Sequence, residues 1–315
     1  MLPTSSISRS GGGGLEKESV EAWFGIEAEP RHQLRVGVPM TSVRSYARWQ
    51  RKTVQGWLSR GACDMIVCVA DVQQTNNVHG NIAEIGVHHG RLFILLDLLA
   101  RTHEKALAID LFEDQSRNVD RSGVGDYNKF VANIERHVGD TSRVVFHRGD
   151  STELTGAAVR ELAGGPIRLF SIDGGHTEEI TKHDLETAEQ AIGPGGVVIL
   201  DDCFNAGWPG VVTGVARFLA TDRTIRPFAI GGNKTLFAAP DYCDAYRTAL
   251  SGAALGMTSE RRFFSYDVLH LEFASGALMR LRQSNLWQLI KDTNQGRKLK
   301  HYCAKFQTRF GMFGE

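Results

Sequence analysis

The sequence predicts an α/β fold with a doubly wound, mostly parallel sheet that is covered by helices on both faces. From residue 80 onward, short apolar segments alternate with glycine-rich turns and helix-like segments, which is typical of such sheets. The chain has 315 residues, of which 42% are hydrophobic and 23% charged, so it can form one large domain with additions or two modest domains. Ligands of these sheets bind beyond the carboxyl ends of the strands.

Two segments precede the predicted sheet. The chain begins MLPTSSISRSGGGG, and this serine and glycine content predicts a flexible leader over residues 1–40. Residues 41–79 carry apolar side chains at spacings of three and four, which predicts one or two helices. We interpret these helices as a lid or a packing element.

The sheet is predicted over residues 80–245, with helices near residues 91–102, 126–137 and 177–191. Its strands are NIAEIGV, KALAIDL, RVVFHRGD, IRLFSID, GGVVILDD, PFAI and TLFAA. Residues 246–315 break this rhythm, with one strand (SYDVLHLEF) and a basic, helix-like tail. We therefore expect a C-terminal α/β appendage there.

The overall charge and the cysteines restrict the class of protein. Lysine plus arginine and aspartate plus glutamate both total 36, so nothing global indicates a nucleic-acid or membrane partner. The five cysteines are scattered without metal-finger spacing, which fits a reducing, cytoplasmic location. No run approaches the roughly 20 apolar residues that a membrane helix requires.

The first two strands end in residues that suit a nucleoside-containing cofactor. NIAEIGVHHG carries Glu84, Gly86 and Gly90 around the turn after the first strand, and glycines there let a ligand approach the backbone. AIDLF contains Asp110, whose carboxylate can accept hydrogen bonds from both ribose hydroxyls. The dinucleotide pattern GxGxxG is absent, which argues against an NAD-dependent oxidoreductase.

The ExGxxxG pattern resembles the first motif of class I S-adenosylmethionine (SAM) methyltransferases. The resemblance implies a Rossmann-like methyltransferase sheet, a first loop that contacts the amino-acid part of SAM, and Asp110 on its ribose. The third strand ends in HRGDST. There the resemblance implies that Asp150, with the adjacent Ser151, binds the adenine end of the cofactor.

The next two strands end in carboxylates. Asp173 follows one strand, and Asp201 and Asp202 end the next, so in a parallel sheet we expect the three to converge at the cofactor cleft. Carboxylates that meet without a cation raise one another's pKa, and Mg²⁺ removes this conflict because it prefers oxygen ligands. His176, three residues after Asp173, is then placed to take a hydroxyl proton as a general base.

The stretch Asp173-Gly-Gly-His176, the helix with Asp184, the GPGG turn and the Asp201-Asp202 pair resemble the methyltransferase domain 24 family. That family includes magnesium-dependent O-methyltransferases that act on sugars of macrolides. The resemblance covers residues 80–240. It implies SAM-dependent O-methyl transfer to a hydroxyl of a small metabolite or sugar, with Asp173 contacting both SAM and the metal.

Two other functions remain open on the same residues. The chain is either a metal-independent SAM methyltransferase, with the strand-end carboxylates as caps, or a non-catalytic SAM-fold binding protein that associates through residues 246–315. Trp208 stacks on an acceptor ring or belongs to the core, and Asn233 and Lys234 either face the cleft or merely form a turn. The partner is expected to be a small hydroxylated acceptor, and a homo-oligomer is left open.

Overall fold

The structure is a computed structural model that describes residues 42–273 and Thr293. The predicted leader over residues 1–40 lies outside the described residues. So does the basic tail of the predicted appendage, apart from Thr293.

A nine-stranded sheet forms the centre of the described chain, and the predicted α/β fold is confirmed. The strand order is β3-β2-β1-β4-β5-β7-β6-β9-β8. The strands are β1 (Asn81–Ile85), β2 (Ala106–Asp110), β3 (Val144–Arg148), β4 (Ile167–Ile172), β5 (Ile192–Asp201), β6 (Arg226–Gly231), β7 (Lys234–Ala238), β8 (Met257–Phe263) and β9 (Tyr266–Glu272).

The five strands that carry the predicted site are parallel to one another. β1 pairs with β2 and β4, β2 with β3, and β4 with β5. The order reverses between β1 and β4, so their carboxyl ends border the crevice where ligands of such sheets bind. β7 then pairs antiparallel with β5 and with β6, forming a hairpin beside the last parallel strand.

Helices cover both faces of the sheet. They are α1 (Val43–Arg48), α2 (Arg60–Thr75), α3 (Phe93–Leu99), α4 (Tyr127–His137), α5 (Gly156–Ala163), α6 (Glu178–Ala191), α7 (Pro209–Leu219) and α8 (Pro240–Gly252). Strand residues alternate between two hydrophobic cores: one contains α1 to α4 and α8, the other α5 to α7. Within residues 42–273, no helix combines the length and apolar character needed to cross a membrane.

Several elements were not predicted from the sequence. Helices α5, α7 and α8 and strand β8 are additional, because glycine and proline near their ends read as turns. Pro209 and Pro240 instead occupy the first turns of α7 and α8, where a missing N–H is tolerated. In the described part of the predicted appendage, β9 pairs parallel with β6 and β8 with β9, so this segment extends the same sheet.

The segment before the sheet contains the predicted helices. Ser59 caps α2, since its hydroxyl accepts a hydrogen bond from Ala62 N at 3.1 Å. Tyr46 of α1 and Met65 of α2 are buried in the first core. The residues between these helices reach the crevice, and their role as a lid remains a prediction.

A buried ion pair lies at the amino end of β4, away from the carboxyl strand ends. Arg168 donates two hydrogen bonds of 2.8 Å to the carboxylate of Glu104 and a third of 2.8 Å to Gln73 Oε1. Arg168 is 1% exposed. A buried charge requires partners of this kind. Through them, the network joins β4 to α2 and to the turn before β2.

We expect R168A to lower the free energy of unfolding by about 3–5 kcal/mol, because the Glu104 carboxylate loses its bidentate partner while buried. R60A removes the exposed pair with Asp64 and is expected to cost about 1 kcal/mol or less. Urea unfolding followed by circular dichroism measures both. Equal losses in the two variants would contradict this assignment.

Candidate active site

A cavity of about 950 Å³ lies at the carboxyl ends of the parallel strands. This volume suits a small-molecule cofactor together with part of a second ligand. Of the predicted site residues, Gly90 lies outside the described lining, and the following line the cavity: Glu84, Gly86, Asp110, Asp150, Ser151, Asp173, His176, Asp201 and Asp202.

The two glycines of the first turn serve the backbone in different ways. Gly86 has φ +80°, and a Cβ there would collide with the main-chain oxygen of Asp173. Gly90 has φ +88°, and a Cβ there would lie 2.8 Å from the ring of Phe130. Gly86 thus lets the ends of β1 and β4 approach each other beside the cavity, whereas Gly90 serves helix packing.

Asp110 is held rigidly at the end of β2. Its carboxylate accepts hydrogen bonds from His88 N at 2.7 Å and Phe112 N at 2.6 Å. Burial raises the pKa of Asp110, and these backbone donors oppose that increase. Each oxygen retains a second acceptor position for a ligand hydroxyl.

Asp150 and Ser151 begin the loop after β3. One oxygen of Asp150 accepts hydrogen bonds from Thr152 N at 2.9 Å and Thr152 Oγ1 at 2.7 Å, and the other lies 3.3 Å from Arg117 Nη2. Ser151 is largely buried beside it. Both residues lie at the cavity, and their contact with adenine remains a prediction.

Glu84 is a buried acid that lines the cavity. Burial, together with the nearby carboxylate of Asp173, raises its pKa well above the usual range. Among the described residues, its Oε2 makes no hydrogen bond. A buried acceptor without a partner is suited to a donor group of a bound ligand.

Asp173, His176 and Asp202 form a compact cluster at the ends of β4 and β5. One potential ligand atom from each lies within 4.8 Å of the other two. His176 Nε2 lies 3.3 Å from Asp202 Oδ2 and 3.7 Å from Asp173 Oδ1, and it makes no hydrogen bond to a described residue. Two hard oxygen donors and a nitrogen thus face one small space.

Asp201 is not part of this cluster, and its role as a third metal ligand stays a prediction. Asp201 lies opposite Lys234 in the antiparallel ladder of β5 and β7, and the two form a buried ion pair. Consecutive strand residues point to opposite faces, and Asp202 leaves the strand with φ +59°. Asp201 therefore contacts Lys234, and Asp202 contacts the His176 side.

Lys234 is a buried cation among carboxylates. Burial alone would lower its pKa, but Asp201 and Asp173 raise it, so the ammonium remains protonated. Its neighbour Asn233 donates hydrogen bonds to Asp201 Oδ1 at 3.0 Å and Asp202 Oδ1 at 2.6 Å. Asn233 and Lys234 therefore belong to the β6–β7 turn and its first strand position, and they also contribute directly to the site.

His176 carries a positive charge in this environment. Burial alone would lower its pKa, but the carboxylates of Asp173, Asp202 and Asp120 raise it to about 10. Trp208 stacks on its ring, with centroids 4.4 Å apart and planes 18° apart. Trp208 thus contacts the site rather than belonging only to the core.

Two contributors were missed by sequence reasoning. Asp120 lies on the loop before α4 and binds His176, and no strand end or motif marks it in the sequence. Trp57, between α1 and α2, is 75% exposed yet lines the cavity. An exposed tryptophan at a cavity edge is recognisable only once the cavity is known.

This sheet has its crevice at the β1–β4 reversal and acids on successive strand ends, which is the arrangement that the resemblance to class I methyltransferases implies. Residues 83–203, a little over a third of the chain, match the family described as methyltransferase domain. The predicted class, a SAM-dependent methyltransferase, is confirmed.

Three solved methyltransferases are similar to the chain at low identity. The O-methyltransferase NovP is 19% identical, covering 56% of this chain and 78% of its own, with a TM-score of 0.44. The calicheamicin methyltransferase CalS11 is 19% identical. The match covers 67% of this chain and 98% of CalS11, with a TM-score of 0.43. The O-methyltransferase from Bacillus cereus, in complex with SAH, is 17% identical. The match covers 65% of this chain and 93% of the other, with a TM-score of 0.45. Comparison with curated proteins gives no match.

We expect K234M to lower the free energy of unfolding by about 3–5 kcal/mol, because Asp201 is left buried without its cation. The double variant D201N/K234M should recover part of this loss, since the uncompensated charge is gone. K182M, which removes the partly exposed pair with Glu186, is the matched control. Thermal and urea unfolding measure the three, and no recovery in the double variant would contradict the assignment.

We expect the stability difference between wild type and H176Q, in chelator-treated protein, to depend on pH. The pKa of His176 rises from 6.5 to about 10 on folding. The stabilisation is therefore complete below pH 6.5 and is lost as the pH rises towards 10. Unfolding curves at several pH values measure it, and a difference that does not change over this interval would refute the assignment.

Proposed function

We propose that this protein transfers a methyl group from SAM to a hydroxyl of a small metabolite or sugar, assisted by Mg²⁺. The observation that supports it best is the arrangement of the cavity. Asp110 and Asp150 lie at one part of its lining, and Asp173, His176 and Asp202 converge at another. Cofactor binding and proton transfer can thus occur in one space.

The residues present suit SAM. The unpartnered Oε2 of buried Glu84 can accept a hydrogen bond from a ligand ammonium group. Asp110 has acceptor positions left for ribose hydroxyls, and Asp150 and Ser151 suit adenine. SAM, when bound, supplies a methyl group on a sulfonium centre.

The residues also suit a hard divalent cation. Asp173 and Asp202 offer carboxylate oxygens in the same space, and such oxygens are the ligands that Mg²⁺ prefers. Asp201 is already neutralised by Lys234, so we assign the cation to Asp173 and Asp202. When bound, the cation lowers the pKa of a substrate hydroxyl and fixes its oxygen.

His176 is the proposed general base. Its Nε2 faces the space between Asp173 and Asp202, which is where a substrate hydroxyl would meet these residues. The three surrounding carboxylates hold a proton on this ring, so it accepts a proton only once Asp173 and Asp202 have lost part of their negative charge. Base catalysis and charge neutralisation are therefore linked in this site.

A metal-independent SAM methyltransferase is the second candidate. One observation favours it: the protonated ring of His176 already offsets part of the charge of Asp173 and Asp202. The non-catalytic alternative has no comparable support, because a binding protein does not require this charged cluster. We keep the small hydroxylated acceptor and the cytoplasmic location as parts of the proposal, without a nucleic-acid or membrane partner.

We expect wild-type protein to bind SAM in isothermal titration calorimetry and D110N to bind it about 10-fold more weakly or worse. The asparagine loses the charged acceptor of the ribose hydroxyls, which corresponds to about 1.5–3 kcal/mol. D267N, on the exposed part of β9, is the matched control and should bind as wild type. Absence of SAM binding to the wild type would overturn the proposed function.

Transfer of labelled methyl from SAM to a panel of hydroxylated sugars and phenols tests the reaction. With an acceptor in hand, chelator or D173N should abolish turnover if Mg²⁺ participates. Turnover that survives both would favour the metal-independent candidate.

A further inference from the structure

Asp120 binds the histidine of the candidate site through two groups at once. Its Oδ2 accepts a hydrogen bond of 2.7 Å from the backbone N of His176 and lies 2.7 Å from the ring Nδ1. The side chains of Asp120 and His176 are 8% and 9% exposed. A short contact between a carboxylate and an imidazole, shielded from water, is among the stronger hydrogen bonds in proteins.

The loop that carries Asp120 is held in shape by its own side chains. Asn118 Nδ2 donates to Ser122 O at 2.7 Å and to Gly123 O at 3.2 Å. Ser122 N donates to Asp120 Oδ1 at 2.8 Å, so the second oxygen of the carboxylate is also fixed. Asp120 is therefore oriented by the loop as well as by its contact with His176.

The other sides of the imidazole are fixed too. Trp208 covers one face of the ring, and Ser122 Oγ lies 3.2 Å from Nδ1. With Nδ1 bound to Asp120, Nε2 is the nitrogen that faces Asp173 and Asp202. In a neutral ring, a carboxylate on Nδ1 keeps the hydrogen there and leaves Nε2 as the acceptor.

We propose that Asp120 is the positioning residue of the site: it fixes the orientation and the tautomer of His176 so that Nε2 is presented to the space between Asp173 and Asp202. This inference rests on the proposed function, because it assigns His176 its reactive nitrogen. Asp120 contacts the ring at Nδ1, whereas Asp173 and Asp202 lie near Nε2, so it acts through the ring. The loop of residues 118–123 thereby becomes part of the reaction machinery.

A purely structural role would have different consequences. If Asp120 merely anchored its loop, removing its charge would loosen the loop without changing the electronic state of the His176 ring. The matched control is Asp126, at the end of the same loop, which caps α4 by accepting from Lys129 N at 2.9 Å. D126N weakens that anchor and leaves the Asp120–His176 contact in place.

Ring-nitrogen spectra of D120N, D126N and wild type test the proposal. Proton–nitrogen correlation spectra of protein labelled with ¹⁵N-histidine report the ring nitrogens, and H176N identifies the His176 signals by their loss. We expect D120N to shift both ring nitrogens of His176, and D126N to leave them unchanged. Titration of the wild type with Mn²⁺, followed by electron paramagnetic resonance of the free ion, tests separately whether the site holds a cation.

The outcomes separate this proposal from the function on which it rests. His176 signals in D120N that coincide with those of wild type would overturn the positioning role, as would equal shifts of these signals in D120N and D126N. If the wild type binds no Mn²⁺, the metal part of the proposed function fails, and the ring signals alone decide on Asp120. If D120N does not fold, D120E replaces it, and its displaced carboxylate should also shift the ring signals.

Discussion

The parallel pairing of β4 with β5 is the constraint on which the site depends. Ile172 lies beside Leu200 in this ladder, so the residues that follow the two strands emerge at the same edge of the sheet. Asp173 and Asp202 are therefore neighbours in space although 29 positions separate them in sequence. The close approach permitted by Gly86 adds the end of β1 and its buried Glu84 to the same edge.

This convergence creates an electrostatic problem that the fold resolves in two ways. Lys234 neutralises Asp201 inside the sheet, while the imidazolium of His176 lies between Asp173 and Asp202 at the cavity. The first cation keeps its proton, because Asp201 and Asp173 raise the pKa of Lys234. The second is a titratable ring whose charge depends on its neighbours, and this is the property that a proton acceptor requires.

Much of this arrangement could be predicted from the sequence, because the carboxyl ends of the parallel strands in a doubly wound sheet lie at the same edge. Apolar runs that end in acids are enough to place Asp110, Asp173 and Asp202 at the cavity. Lys234 could be assigned no partner in this way, since its pairing with Asp201 depends on the register of an antiparallel hairpin. Asp120 was missed because its loop folds around its own side-chain hydrogen bonds, which follow no periodic pattern.

The β6–β7 hairpin connects the outer strands of the sheet to the cavity. Asn233 and Lys234 occupy its turn and first strand position, and β6 continues the sheet by pairing with β9. A shift of the hairpin register by one residue would turn Lys234 to the opposite face of the sheet. Asp201 would then be left as an unpaired buried anion. The register of the outer strands is thus coupled to the charge at this corner of the cavity.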